Sequence, residues 1–368
     1  MNMQTLFHVP LIAMAALCAM ACAHAASPFP LQVELRVACE PTAFPSAGQT
    51  HLLYELQLTN FSGDKIDLRR IEVLDAATPN GNALASFDGE QIDSLLQAKG
   101  REIAPSTTQL AYMHVALDAK ARVPDKVMHR VLTDTAAVEG AVIRTHHNKL
   151  KTLTPPVQGG TWHAYDGPSN HRENHHRRGL FVADGRASIS RRFATDWFLM
   201  QDDETSKGDP RDARSYYSYA QPVFAVADGT VVTARDGLPD NVPGPVEVFR
   251  PTLPVAMETI AGNMIVLDLG DGQFASYFHL QRDSLRVKAG DRVRSGQELG
   301  RIGVSGDSNL PHLHFEVTTS PNVLTGEGVP YVIDHFRVWT DRIWQQHSRE
   351  LPMRDMLVEF GRAHRNSD

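Results

Sequence analysis

At 368 residues and 42% hydrophobic content, the chain has room for two domains with sizeable cores. A formal net charge of −7 and no Lys/Arg-rich run argue against nucleic acid as a partner. Of three cysteines, Cys18 and Cys22 lie in a leader-like segment. Cys39 alone can form neither an internal disulfide nor a Cys-type zinc site, so any metal must be held by His, Asp or Glu.

Residues 9–22, VPLIAMAALCAMAC, precede Ala23-His24-Ala25, an apolar region followed by an A-x-A cleavage site. This predicts a secretory signal peptide over 1–25 and export to the periplasm or the exterior. The apolar run is too short to span a bilayer, and no later stretch could cross one. The residues before Cys18 and Cys22 fit a lipoprotein site poorly.

Residues 27–150 read as a β-sandwich accessory domain of immunoglobulin-like type. Residues 31–37, 53–59, 71–74 and 110–117 are its clearest strands, with apolar residues at period two in the first pair. His51, His114 and His129 sit apart in sequence and are expected to be structural. A Pro/Gly boundary at 152–160 opens a second domain, 151–335. A polar loop, Gly167 to Arg178, then carries His171, His175 and His176. Its ordinary reading is a solvated loop. Folding the chain about the turn Asp184-Gly185-Arg186 would bring residue 176 roughly opposite 194–196, beside Asp196. Residues 201–220 and the Pro/Gly-rich 236–259 read as loops around short strands at 221–234, 263–269, 274–280, 287–293 and 298–303. Residues 336–368, with Trp339, Ile343, Trp344, Leu351 and Met356, are expected to be a helical extension.

The stretch Asn309 to Val317, NLPHLHFEV, carries the most chemistry. As a strand it points Leu313, Phe315 and Val317 into a core and His312, His314 and Glu316 onto the opposite face. Two imidazoles on one face can share a metal, or divide the roles of ligand and base.

With that stretch, three blocks of the second half resemble the M23 family of zinc metallopeptidases, the LytM/lysostaphin type. Pro222 to Val232, PVFAVADGTVV, is similar to the family's PVYAAADGTVV strand. Gly262 to Asp268 with Tyr277-Phe278-His279-Leu280 is similar to GNxVxIxH and YxHL. Val287 to Gly303, followed by PHLHFEV, is similar to the closing block. The resemblance covers about 180 to 320. It implies an antiparallel β-sheet metallopeptidase domain, a zinc ion, and peptidoglycan or another peptide as substrate.

Carried over by position, His314 and Asp196 match metal ligands, and His312 and His279 match the two histidines that work beside the metal. Arg192 stands where the family's HxGxD motif has its first ligand, and arginine has no lone pair to give. The polar loop can supply the missing imidazole, and His176 is the choice over His175. The resemblance further implies that His312 takes a proton from water and helps pass it to the leaving amine, while His279 hydrogen-bonds the developing oxyanion or the water. The competing expectation, resting on Arg192, is a degenerate domain that binds cell wall or activates an amidase. A β-sandwich adhesin or carbohydrate-binding module would leave the histidines unexplained.

Overall fold

Period-two patterning carries through most of the chain. The computed structural model describes residues 30–361, so the segment read as a signal peptide lies outside the described residues. In the first half, the strand Gln49–Asn60 pairs antiparallel with Val33–Val37, Phe44–Ser46 and Thr108–Asp118. A second sheet runs Ala137–Arg144, Lys126–Leu132, Arg70–Asp75, Ala85–Asp88. Tyr54, Leu56 and Leu58 from the first sheet meet Ile71, Val73, Val127 and Val131 from the second in one core, which makes a two-sheet sandwich. Phe44 and Leu53 belong instead to the larger core of the second half, so the two halves share packing.

An eleven-stranded sheet forms that second half. Its middle runs Thr161–Tyr165, Thr195–Met200, Leu313–Thr318, Phe274–Leu280, Asn263–Asp268, Gly229–Arg235, each antiparallel to the next. The strand Leu313–Thr318 is buried on both faces, and Thr195–Met200 nearly so. Polar side chains on them therefore need partners.

Two expectations are corrected. The segment over 336–368 is not helical. Val332–Thr340, Ile343–Glu350 and Leu357–Glu359 join the large sheet, and 362–368 lie outside the described residues. Phe336 and Val338 are buried while Arg337 and Trp339 face out, the period of a strand. Asp341 and Arg342, at φ 53° and 63°, make the two-residue hairpin turn. The spacing of Trp339 and Ile343 imitates a helix because that turn falls between them. Second, the turn at Asp184-Gly185 does pair Phe181–Ala183 with Arg186–Ser188, but this hairpin does not pair with the Asp196 strand. A 3-10 turn at Ser190–Phe193 breaks the run first. Gly89–Leu95 is the one α-helix among the described residues, and no described helix is long and apolar enough to cross a membrane.

His129 shows how the sandwich accommodates a buried polar ring. Its Nδ1 donates to the Ala141 carbonyl (3.1 Å), and its Nε2 accepts from the Tyr54 hydroxyl (2.9 Å). Burial pushes its pKa down to about 4, so the ring is neutral in the fold. In the unfolded chain it titrates near ~6.5, so between these values the unfolded state binds more protons and stability rises with pH. Urea unfolding should show the wild type losing about 3 kcal/mol more than His129→Phe as pH falls from ~7 to ~4. Parallel pH profiles for the two proteins would contradict this.

Candidate metal centre and active site

Strand register places the first two site residues. Asp196 lies directly opposite His314 on one side, and Phe278 lies opposite His314 on the other. Directly opposed residues share a face, so the carboxylate, the imidazole and the phenyl ring stand in a row. Phe278 stacks on the His314 ring, with centroids 5.2 Å apart and planes 3° apart. His312, two residues back, shares the face and stacks on Phe198 at 5.0 Å.

His279 reaches the same place by a different device. As the neighbour of Phe278 on a regular strand, it would point to the opposite face. Its φ of 63° turns it back, and its ring lies 5.0 Å from His312 and 6.1 Å from His314. The irregularity is held by His279 N–H donating to the Ala261 carbonyl and Gly303 N–H donating to the His279 carbonyl, both at 3.0 Å. A Cβ on Gly303 would sit 2.4 Å from the Gln281 backbone, so only glycine allows that approach.

His176 comes from the polar loop, which exposes His171 to Glu173 and His175 but buries His176 to 1% exposure. Asn174, fully buried, shapes the loop. Its amide donates to the Gly167 carbonyl (2.8 Å) and the Ser169 hydroxyl (3.0 Å), and its oxygen accepts from Arg177 N–H (2.8 Å). The chain therefore brings His176 beside Asp196 by a tied loop, not by strand pairing.

The imidazoles converge on one carboxylate oxygen. Asp196 Oδ1 lies 2.9 Å from His314 Nδ1, 3.3 Å from His176 Nε2 and 3.4 Å from His312 Nε2. Three rings have their protons assigned by acceptors behind them. His176 Nδ1 donates to the Asp166 carbonyl (2.9 Å), His312 Nδ1 to the Leu310 carbonyl (2.7 Å), and His279 Nδ1 to the Ser305 carbonyl (2.9 Å). A carbonyl can only accept, so in each neutral ring Nε2 keeps a lone pair.

The electrostatics follow from burial and proximity. Burial pushes His176 down to about 3. Burial and the neighbouring rings of His312 and His314 hold His279 well below the usual imidazole range. Burial opposes charge on Asp196, but the facing imidazoles of His176 and His312 outweigh it and hold the carboxyl well below its usual range. Burial likewise opposes charge on His314, yet Asp196 and Glu316 raise it to about 9. Glu316 Oε2 lies 3.5 Å from His314 Nε2, outside hydrogen-bond geometry.

These residues fit a divalent cation. His176 Nε2 is buried, has no hydrogen-bond donor, and directs a lone pair at an ionised carboxylate. Two electron-rich groups face to face are stabilised by a cation between them. His176, Asp196 and His314 form a His–Asp–His set, in which a rear hydrogen bond to the Asp166 carbonyl orients His176. His175 is the competing third member, since one ligand atom each from His175, His176 and Asp196 lie within 4.8 Å of one another. But His175 is half exposed, spends its Nδ1 on Asp166 Oδ2 (2.5 Å), and reaches only the other Asp196 oxygen, at 3.7 Å. His314, by contrast, is buried and brings Nδ1 to 2.9 Å from Asp196 Oδ1, the oxygen that His176 also faces. His171 forms no part of the cluster.

Beside this set lies a cavity of about 770 Å³, lined by His279, His312, Tyr165, Phe198, Phe249 and Leu310. The two loops expected to border a groove contribute Thr205, Val246 and Glu247. Sequence reasoning missed Asp166, Asn174 and Phe278. Nothing in the local pattern marks the first two, whereas Phe278 stands next to His279 in a quoted block. Arg192 points away, into the interface between the halves, where its Nη2 contacts Glu55 (2.7 Å) and Glu327 (2.8 Å).

Residues 215–325 match the model of Peptidase family M23. That stretch contains His279, His312 and His314, while His176 and Asp196 precede it. Among curated proteins, the chain is 30% identical over 102 residues to Cell division protein DipM of Caulobacter vibrioides, covering 28% of this chain and 13% of that protein. It is 30% identical over 96 residues to Peptidoglycan DD-endopeptidase ShyA of Vibrio cholerae, covering 26% and 17%. It is 29% identical over 100 residues to Lipoprotein NlpD of Yersinia enterocolitica, covering 27% and 79%. The chain thus spans less than a fifth of the first two relatives. Among solved structures, the catalytic domain of lysostaphin from Staphylococcus simulans aligns at 23% identity and a TM-score of 0.23, covering 44% of this chain and 80% of that one.

The loop geometry is open to a direct test. Asn174→Ala should cost about 1–3 kcal/mol, because the Gly167 carbonyl, the Ser169 hydroxyl and the Arg177 N–H lose a buried partner. Hydrogen exchange of the Arg177 amide should accelerate with it. Wild-type protection of that amide in the variant would contradict the account of the loop.

Proposed function

The chain carries a peptidase family M23 domain, and from that premise we propose that it is an exported zinc-dependent endopeptidase acting on peptidoglycan cross-links. The observation that carries this reading is the convergence of His176, Asp196 and His314 beside a cavity that His279 and His312 also line. A divalent ion held by these three would supply Lewis-acid polarisation of the scissile carbonyl and acidification of a water.

The remaining chemistry belongs to the side chains. His312, its proton fixed on Nδ1 by Leu310, keeps Nε2 free to take a proton from the attacking water and return it to the leaving amine. His279 has its Nδ1 proton tied to Ser305 and is held neutral, so its Nε2 presents a lone pair beside His312 that can accept a hydrogen bond from the attacking water and orient it. Phe198 and Phe278 stack on His312 and His314 and limit ring rotation. Arg191 lines the cavity and makes no ion pair among the described residues, which suits a carboxylate-bearing peptide. The alternative, a degenerate domain that binds cell wall or activates an amidase, rests on Arg192, whose guanidinium pairs with Glu55 and Glu327.

Isothermal titration of zinc into chelator-stripped protein should saturate at one ion per chain. His176→Ala, Asp196→Ala and His314→Ala should each abolish that binding. His312→Ala should keep zinc and lose cleavage of purified peptidoglycan by about 10²–10⁴-fold. Zinc loss in His312→Ala would refute the division of roles, and undiminished cleavage by the stripped protein would refute the metal.

A further inference from the structure

We infer that the N-terminal sandwich completes the metal site from behind: Glu55, on the strand Gln49–Asn60, is a positioning residue that holds His176 through Arg177. This rests on His176 and Asp196 being ligands, as proposed above.

The loop that bears His176 contains no strand, and much of what fixes it comes from the sandwich. Residues 175–178 form a turn, closed by Arg178 N–H donating to the Asn174 carbonyl (3.0 Å) and Gly179 N–H donating to the His176 carbonyl (3.1 Å), and its successive side chains diverge. His176 faces Asp196, and Arg177 faces the sandwich, fully buried. Arg177 pairs through Nη1 with Glu55 Oε1. Its Nη2 donates to the carbonyls of Tyr54 (2.8 Å) and Met113 (3.2 Å). Arg178 adds donors to the Ser94 carbonyl (2.6 Å) and to those of Leu95 and Leu96 (both 3.2 Å), and lies 4.1 Å from the Tyr112 ring centre. Arg172 donates to the Asp93 carbonyl at 2.5 Å. The second half contributes less: Arg354 reaches Asp166 Oδ1 at 3.2 Å and the Pro168 carbonyl at 3.4 Å.

Glu55 has a second guanidinium. Arg192 Nε donates to Oε1 (3.1 Å) and Nη2 to Oε2 (2.7 Å). Arg192 stands four residues before Asp196, in the 3-10 turn that leads into the Asp196 strand. One buried carboxylate of the sandwich therefore grips both segments that deliver ligands, the His176 loop and the approach to Asp196. Without it, the fully buried Arg177 would keep no carboxylate and would face an Arg192 paired with Glu327 alone, and the loop would have to move.

The test uses the full chain, loaded with zinc alone. Zinc affinity is measured by chelator competition on wild type, Glu55→Gln and Arg178→Met, with thermal unfolding of each metal-free protein alongside. Arg178→Met loosens the same loop without touching Glu55, and carries the test if Glu55→Gln does not fold. Both variants should bind zinc about 10–100-fold more weakly than wild type, as when a group behind a ligand is removed. Glu72→Gln, in the other sheet of the sandwich, should bind as wild type does. A merely structural Glu55 would lower the melting temperature and leave the zinc affinity of the folded protein unchanged, and that result overturns the inference while leaving the ligand set standing. A wild type that binds no zinc overturns both.

Discussion

Taking one carboxylate out of water constrains this molecule more than any other single step. Asp196 sits on a strand buried on nearly all sides, where an unpaired charge costs several kcal/mol. Its partners come from two separate parts of the chain: His176 from a loop, His312 and His314 from a late strand. His176 and His312 turn their Nδ1 hydrogens to carbonyls behind them and their Nε2 atoms toward the carboxylate, and a cation among these groups resolves the conflict.

The sheet supplies only part of that arrangement. Register fixes Asp196 against His314 and His314 against Phe278, so two antiparallel pairings align a ligand pair and the ring that backs it. A left-handed residue adds His279, and the neighbouring Gly303 lets two backbone segments close enough to stabilise it. The first imidazole cannot come from Arg192, whose side chain is engaged between the halves. Arg192 makes a contact with the sandwich, and His176 sits next to Arg177, which reaches the same Glu55.

Several of these features were legible in the residues alone. The alternation in 312–317 places His312, His314 and Glu316 on one face, and the strands of the sandwich follow the same rule. Asp196 and His176 were legible as a pair, but by a faulty route. A hairpin was expected to carry them together, whereas a 3-10 turn interrupts it and a loop tied by Asn174 does the work. Local sequence has no signal for that, because the loop's charged residues look like solvated ones until their carbonyl acceptors across the interface are known. Glu55 was invisible for the same reason: its partners lie 122 and 137 residues away. The terminal strands were misread because apolar residues spaced across a hairpin turn mimic a helical face.

The central claim concerns which three side chains share one ion. Anomalous scattering from a zinc-soaked crystal of the protein tests it directly. The account predicts a single strong peak about 2.0–2.2 Å from His176 Nε2, an Asp196 oxygen and His314 Nδ1. A peak bonded to His175 with His314 turned away, or no peak in that cluster at full zinc occupancy elsewhere, would contradict it.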